Sequence, residues 1–125
     1  MIHFTKYLST AMLFVHCAMF AVTPAQAHAR LETSIPAADE ILDAFPKELS
    51  LTFSEPIKLI NAVVVKDQGQ EARGFGPARI EGEILYIPVT SAQTNGVYTV
   101  NYQVVGSTDS HPVGGSLEFA VQTGR

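Results

Sequence analysis

The residues best suited to metal chemistry are His28 and the triplet Asp109-Ser110-His111. His28 follows Ala25-Gln26-Ala27, whose small residues are typical of a signal-peptidase cleavage site. Cleavage after Ala27 would give His28 a free α-amine beside its imidazole, and these two groups can close one chelate ring on a metal ion. Asp109 and His111 lie two positions apart, so an extended backbone would let both side chains converge on one ion. No other histidine follows position 27, which makes both histidines candidates for metal binding.

Both features also have ordinary structural explanations. A histidine at a cleavage point can be incidental, at a terminus that frays. Within the triplet, Asp109 can cap the loop while His111 hydrogen-bonds to the backbone. The choice between these interpretations depends on the rest of the sequence.

Residues 1–27 have the pattern of a secretory signal peptide. One cation, Lys6, precedes an apolar run from Leu8 to Val22, and the small residues Ala25 and Ala27 follow. We therefore expect residues 1–27 to be removed and residues 28–125 to form one domain that is exported to a bacterial periplasm. Because no second long apolar segment follows, we expect no stable membrane anchor.

The composition of residues 28–125 restricts both the partners and the metal. These 98 residues carry seven basic and twelve acidic side chains, and the resulting net charge of −5 argues against nucleic acid as a partner. They contain neither cysteine nor methionine, so a disulfide is impossible and a metal site must use nitrogen and oxygen donors. Imidazole, amine and carboxylate groups suit Cu(II) or Zn(II), whereas Cu(I) favours sulfur.

The pattern of residues 28–125 predicts an all-β fold. Apolar and polar side chains alternate at 49–53 and again at 97–105, as expected for half-buried strands. Further strands are expected at 29–34, 59–66, near 78–80, at 83–89 and at 116–121. Residues 41–46 are predicted to form a loop or a single helical turn. About seven short strands with turns roughly every ten residues indicate an antiparallel sandwich or small barrel of immunoglobulin-like type.

At the two histidine sites and in several of the predicted strands, the chain resembles the CopC family of periplasmic copper-resistance proteins. The resemblance spans nearly all of residues 28–125, and the combination of motifs is specific although each one is common. The motifs are His28 with Ala29 and Leu31, then Ser34-Ile35-Pro36-Ala37, Leu49-Ser50-Leu51-Thr52-Phe53-Ser54-Glu55-Pro56, Gly96-Val97-Tyr98-Thr99-Val100 and Asp109-Ser110-His111-Pro112-Val113-Gly114-Gly115. The resemblance implies a copper-binding domain whose fold is a Greek-key β-sandwich or barrel.

The resemblance also implies a Cu(II) site made of the His28 amine and imidazole, the Asp109 carboxylate and the His111 imidazole. Three nitrogens and one oxygen form a tetragonal set that Cu(II) favours. Glu55 is a candidate for supporting these ligands, and its alternative is a solvated carboxylate in a turn. Many members carry a methionine-rich Cu(I) loop that has no counterpart here. The implied type is therefore a member that binds Cu(II) only.

The implied role is to hold copper for resistance, storage or delivery, and not to catalyse a reaction. We expect a monomer, and a CopD-like copper transporter of the inner membrane is a candidate partner. Two other classes remain open. An immunoglobulin-like adhesion module would bind protein through an edge strand and would need no metal. A copper oxidative enzyme would also use an N-terminal histidine, but the absence of tryptophan and the carboxylate ligand argue against it.

Two positions depart from the family pattern. Tyr102 stands where family members commonly have tryptophan, and the stretch Gly106-Ser107-Thr108 is one residue longer than the usual spacing. An extra residue in a paired strand moves the following side chains to the other face unless a bulge absorbs it. We therefore expect a bulge at Gly106.

Overall fold

The protein forms two four-stranded β-sheets that face each other across one core. The computed structural model describes residues 28–124. The strands are β1 (Leu31–Ile35), β2 (Ile41–Leu42), β3 (Glu48–Phe53), β4 (Ile57–Lys66), β5 (Arg79–Glu81), β6 (Ile84–Pro88), β7 (Gly96–Gly106) and β8 (Pro112–Val121). One sheet has the order β1-β3-β6-β5 and the other has the order β2-β8-β7-β4. The predicted all-β sandwich is confirmed, with eight strands where about seven were expected.

The predicted signal peptide and its cleavage site lie outside the described residues. Within residues 28–124 there is no helix of a length and apolarity that could cross a membrane.

The core is built from the alternating side chains that the sequence indicated. Leu49, Leu51 and Phe53 of β3 are fully buried, and the intervening residues of the strand are only partly covered. Tyr98 and Val100 of β7 meet them from the opposite sheet and are also fully buried. Burial of each large apolar side chain contributes about 1.5–3 kcal/mol. This burial holds together a domain that contains no disulfide.

Four aromatic rings close the end of the sandwich near the start of β7. Phe45 lies edge-on to Tyr98, with ring centroids 4.9 Å apart, and also contacts Phe75 and Phe119. The buried hydroxyl of Tyr98 donates to the carbonyl of Thr94 at 2.5 Å. Because Gly106 ends the same strand eight residues later, the opposite end of the sandwich is roughly 25 Å away.

The segment 41–46, predicted to be a loop or a helical turn, begins instead with the short strand β2. Its two residues pair in parallel with Ala120 and Val121 of β8. The Gln122 amide donates to the Leu42 carbonyl at 2.9 Å, so this segment pairs along the edge of β8. Leu42 and Phe45 pack against the core, whereas Ile41 is 52% exposed. The strand conformation of Ile41 and Leu42 depends on partners almost eighty residues away in the chain. The spacing of apolar residues within the segment does not reveal those partners.

The bulge expected at Gly106 is not there. Gly106 pairs regularly with Ile57, and the register shift on β4 falls at Ile60, between the pairs of Leu59 and Asn61. A second shift falls at Glu32 in β1. The ladder between β7 and β8 runs without a shift up to the pair of Val105 with Pro112, so the extra residue lies in the turn 107–111. β8 therefore begins at Pro112, four residues earlier than predicted.

Tyr102, the residue that replaces the family's common tryptophan, is half-buried. Its ring lies edge-on to Phe53, with centroids 5.3 Å apart. Burial raises the pKa of its hydroxyl. A Cβ added at Gly115 would collide with this hydroxyl, so the glycine leaves room for the tyrosine.

Candidate metal centre

His28 and Asp109 are in direct contact although 81 positions separate them in the chain. The His28 Nδ1 atom lies 2.5 Å from Asp109 Oδ2. The Asp109 side chain is only 8% exposed, whereas the His28 side chain is 47% exposed. The pair therefore consists of a shielded carboxylate and an imidazole that solvent can reach.

The other oxygen of Asp109 fixes the turn between β7 and β8. Oδ1 accepts hydrogen bonds from the backbone amides of Ser110 at 2.6 Å and His111 at 3.1 Å. The Asp109 amide in turn donates to the Gly106 carbonyl at 3.0 Å. The structural interpretation of Asp109 as a loop cap is thus supported, but it uses Oδ1 alone and leaves Oδ2 for His28.

These hydrogen bonds determine the acidity of Asp109. The bond with the His28 side chain is the largest cause that lowers the pKa of the carboxyl group, and the amides of His111 and Ser110 add to it. Together they outweigh the opposing effect of desolvation. Asp109 therefore stays ionised to a lower pH than an ordinary aspartate, and the ionised carboxylate is the form that binds a cation.

His111 also lies beside His28. The two imidazole rings are 5.4 Å apart between centroids and stand nearly perpendicular, at 84°. His111 itself is exposed. The structure thus brings the three predicted site residues together at one end of the sandwich, through a tight turn and not through the extended backbone that the sequence suggested.

The side chains as they stand do not yet enclose an ion. Among residues 28–124, no set of three histidine, cysteine or acidic side chains is arranged to hold a metal. In the unprocessed chain the His28 nitrogen is a peptide nitrogen bonded to Ala27, so the predicted amine donor does not exist in it. The roles of His28, Asp109 and His111 as ligands stay predictions.

The segment that carries His28 is anchored directly after it. Ala29 is 1% exposed and belongs to the hydrophobic core. Arg30 exchanges two hydrogen bonds with Ser54: its amide donates to Ser54 Oγ at 3.0 Å, and the Ser54 amide donates to its carbonyl at 2.9 Å. The position of His28 is therefore restricted by a buried neighbour and a paired one.

Glu55 contacts the turn and not the two histidines. Its Oε1 atom accepts a hydrogen bond from Thr108 Oγ1 at 3.2 Å, and its carboxylate covers Gly106. The Ser107 amide donates to the Pro56 carbonyl at 2.8 Å beside it. Glu55 is a candidate from the sequence, whereas Thr108 is not. The one sequence feature that could have indicated Thr108 is its hydroxyl group directly before Asp109.

Comparisons with known proteins agree with this architecture. The family model of the CopC domain matches residues 31–122, a range that includes Asp109 and His111 and begins three residues after His28. Protein YobA from Escherichia coli K12 is 31% identical over 106 residues, which cover 81% of this chain and 85% of YobA.

Two solved structures share the fold. PcoC, a methionine rich copper resistance protein from Escherichia coli, superposes with a TM-score of 0.61 at 27% identity, over 77% of this chain and 100% of PcoC. CopC from Methylosinus trichosporium OB3b superposes with a TM-score of 0.67 at 22% identity, over 78% of this chain and 97% of that protein, which shows similarity of fold. The protein thus belongs to the CopC family.

Proposed function

We propose that residues 28–125 form a periplasmic copper-binding protein, released by cleavage after Ala27, that holds one Cu(II) ion. The ligands are the amine and Nδ1 of His28, a carboxylate oxygen of Asp109 and an imidazole nitrogen of His111. The observation that carries the proposal is the contact between His28 Nδ1 and Asp109 Oδ2. Membership of the CopC family and the similarity to the copper resistance protein PcoC support the choice of copper.

The geometry of that contact suits the insertion of an ion. Nδ1 is the ring nitrogen nearer to the backbone, so it is the one that can close a chelate ring with the amine of its own residue. Metal–ligand bonds of about 2.0 Å at a right angle place neighbouring donor atoms roughly 2.8 Å apart. The observed 2.5 Å is slightly shorter. Replacement of a shared proton by copper therefore requires only a small separation of the two side chains.

The donor set favours Cu(II) among the copper ions. Three nitrogens and one oxygen match the tetragonal preference of Cu(II), and the single carboxylate offsets part of the charge of the ion. Each nitrogen must lose a proton before it binds, so acidification releases the metal. No sulfur ligand follows position 27, which leaves Cu(I) without its favoured donors.

The exposure of the site suits exchange of the ion. His28 is 47% exposed, so a second protein or a small chelator can approach the bound ion directly. This favours copper resistance, storage or delivery over a sealed structural site. A CopD-like transporter of the inner membrane is the proposed recipient.

The amine of His28 provides the test. We expect the chain that begins at His28 to bind one Cu(II) tightly, with a nitrogen-rich electron paramagnetic resonance spectrum. One glycine placed before His28 converts the amine into an amide but leaves both imidazoles and Asp109 unchanged. It should weaken Cu(II) binding by orders of magnitude and alter the spectrum.

Two controls accompany this experiment. The glycine should not change the thermal transition of the metal-free protein, because the terminus lies outside the core. His111→Ala in the chain that begins at His28 should weaken binding comparably. An extended protein with native affinity and the native spectrum would show that cleavage does not create the site.

A further inference from the structure

One short turn contacts both of the segments that carry the proposed ligands. The turn Ser54-Glu55-Pro56 connects β3 in one sheet with β4 in the other. Its first residue bonds to the segment that follows His28, and its last two bond to the turn that carries Asp109. The distance between the two ligand-bearing segments therefore depends on this turn.

The hydroxyl of Ser54 completes the pairing between β1 and β3. The last pair of the ladder joins Leu31 with Phe53, and the next pair along it would be Arg30 with Ser54. Pairs in an antiparallel ladder alternate between two kinds, and in the hydrogen-bonded kind each residue gives one amide and one carbonyl. Here the Ser54 amide donates to the Arg30 carbonyl, but the Arg30 amide donates to the Ser54 hydroxyl. The side chain stands in the place of a backbone carbonyl.

This bond lies two residues from the proposed metal-binding terminus. A chain end with no partner frays, and fraying moves its first residues most. The buried methyl group of Ala29 fixes one side of the segment, and the Arg30–Ser54 pair fixes the next residue. His28 thereby has little freedom beyond rotation of its own bonds, and its ring stays within reach of Asp109.

The second half of the turn restrains the other ligands. The Pro56 carbonyl accepts from the Ser107 amide at 2.8 Å, and Glu55 accepts from Thr108. These bonds hold the two residues immediately before Asp109. The turn 54–56 thus fixes both segments relative to one another.

We propose that Ser54 is a positioning residue for Cu(II) binding: through its bond to Arg30, its hydroxyl holds the His28 terminus at the distance that lets it share an ion with Asp109 and His111. The inference rests on the proposed function. It adds a residue that does not touch the metal and that acts by reducing the freedom of the terminus before the ion arrives.

The first test uses metal-free protein and is independent of copper. Ser54→Ala removes the acceptor of the Arg30 amide, so hydrogen exchange at that amide, measured by nuclear magnetic resonance, should accelerate several-fold. Ser54→Thr retains a hydroxyl and should restore the protection. Ser34→Ala is a matched control, because the Ser34 hydroxyl also bonds to the backbone, here as a donor to the Pro36 carbonyl at 2.7 Å, but at the far end of β1.

The second test measures Cu(II) affinity in the chain that begins at His28. Ser54→Ala should weaken binding by about three- to tenfold, the effect of losing one net hydrogen bond. It should also broaden the electron paramagnetic resonance spectrum. Ser54→Thr and Ser34→Ala should bind like the parent.

A double-mutant cycle separates positioning from a general structural effect. A preceding glycine blocks the His28 amine, so the terminus then offers the ion only its imidazole. In that chain Ser54→Ala should have a smaller effect on Cu(II) affinity, because the position of the terminus matters less for binding. Equal effects in both chains, or no effect in either, would overturn the inference while leaving a copper site in place. Failure of the parent chain to bind Cu(II) would overturn the proposed function. Unchanged hydrogen exchange at the Arg30 amide in Ser54→Ala would show that the Ser54 hydroxyl does not hold this segment, and would overturn the inference.

Discussion

Asp109 divides its two carboxylate oxygens between structure and the proposed chemistry. Oδ1 accepts the amides of Ser110 and His111, and Oδ2 faces His28 at 2.5 Å. The two interpretations that the sequence offered for this residue, a loop cap and a ligand, are therefore compatible. A residue already held by its backbone contacts loses little further freedom when it binds an ion.

The acid dependence of metal-free stability should reveal the bond between Asp109 and His28. The pKa of Asp109 is lowered in the folded protein, chiefly by its bond with His28. Its stabilising contribution is therefore complete above the ordinary carboxyl range near 3.9 and is lost as the pH falls through the lower, folded value. We expect the difference in unfolding free energy between the parent and Asp109→Asn to be present at about pH 5 and to shrink below about pH 4. Urea denaturation across this range measures it. A constant difference down to about pH 2 would contradict the prediction.

The turn between β7 and β8 is held by residues from a different part of the chain. Gly106 ends β7, and a Cβ on it would collide with Oε1 of Glu55 and lie 2.8 Å from Glu55 Cδ. The same carboxylate accepts the hydroxyl of Thr108. Glycine at this position therefore lets Glu55 approach the turn closely, and it does so without forming the bulge that the spacing suggested.

Gly106→Ala should displace the Glu55 side chain and release Thr108. Because Glu55 is flexible, we expect destabilisation on the order of 1 kcal/mol, measured by urea denaturation. Gly114→Ala is the control, since its Cβ would lie 3.6 Å from the Tyr102 carbonyl oxygen, an ordinary contact. Glu55→Ala should remove most of the effect of Gly106→Ala in the double variant. Additive effects would show that the two residues are independent.

At the scale of the whole molecule, the cluster of four aromatic rings and the proposed metal site occupy opposite ends of the sandwich. The aromatic residues Phe45, Phe75, Tyr98 and Phe119 cluster near the start of β7, and Asp109 follows its end. Substitution of the exposed side chains of His28 and His111 should therefore leave the aromatic cluster intact. The net charge of −5 over residues 28–125 also favours the approach of a cation.

The absence of sulfur from residues 28–125 predicts which copper ion the whole domain selects. Titration with each ion against matched competing chelators should give tight binding of one Cu(II) and weak binding of Cu(I). Neither ion should be needed for folding, so the metal-free protein should unfold cooperatively. Tight Cu(I) binding at a second site would contradict the donor set proposed here.

The amino-acid sequence by itself determined the features that depend on neighbouring residues. Alternation at 49–53 and 97–105 predicted two buried strands, because side chains on a strand point to opposite faces at every step. The lack of cysteine and methionine after position 27 restricted the donor atoms without reference to any fold. The motifs that resemble the CopC family identified the three candidate ligands before their contacts were known.

Tertiary structure alone decided the features that depend on distant partners. The capture of β2 by β8, the bulge at Ile60 and the bond between Arg30 and Ser54 each join segments that are separated in the chain. The contact between His28 and Asp109 spans 81 positions. Such pairings arise because the two sheets must bury one shared core, and the register that achieves this burial is a property of the whole chain and not of any local pattern.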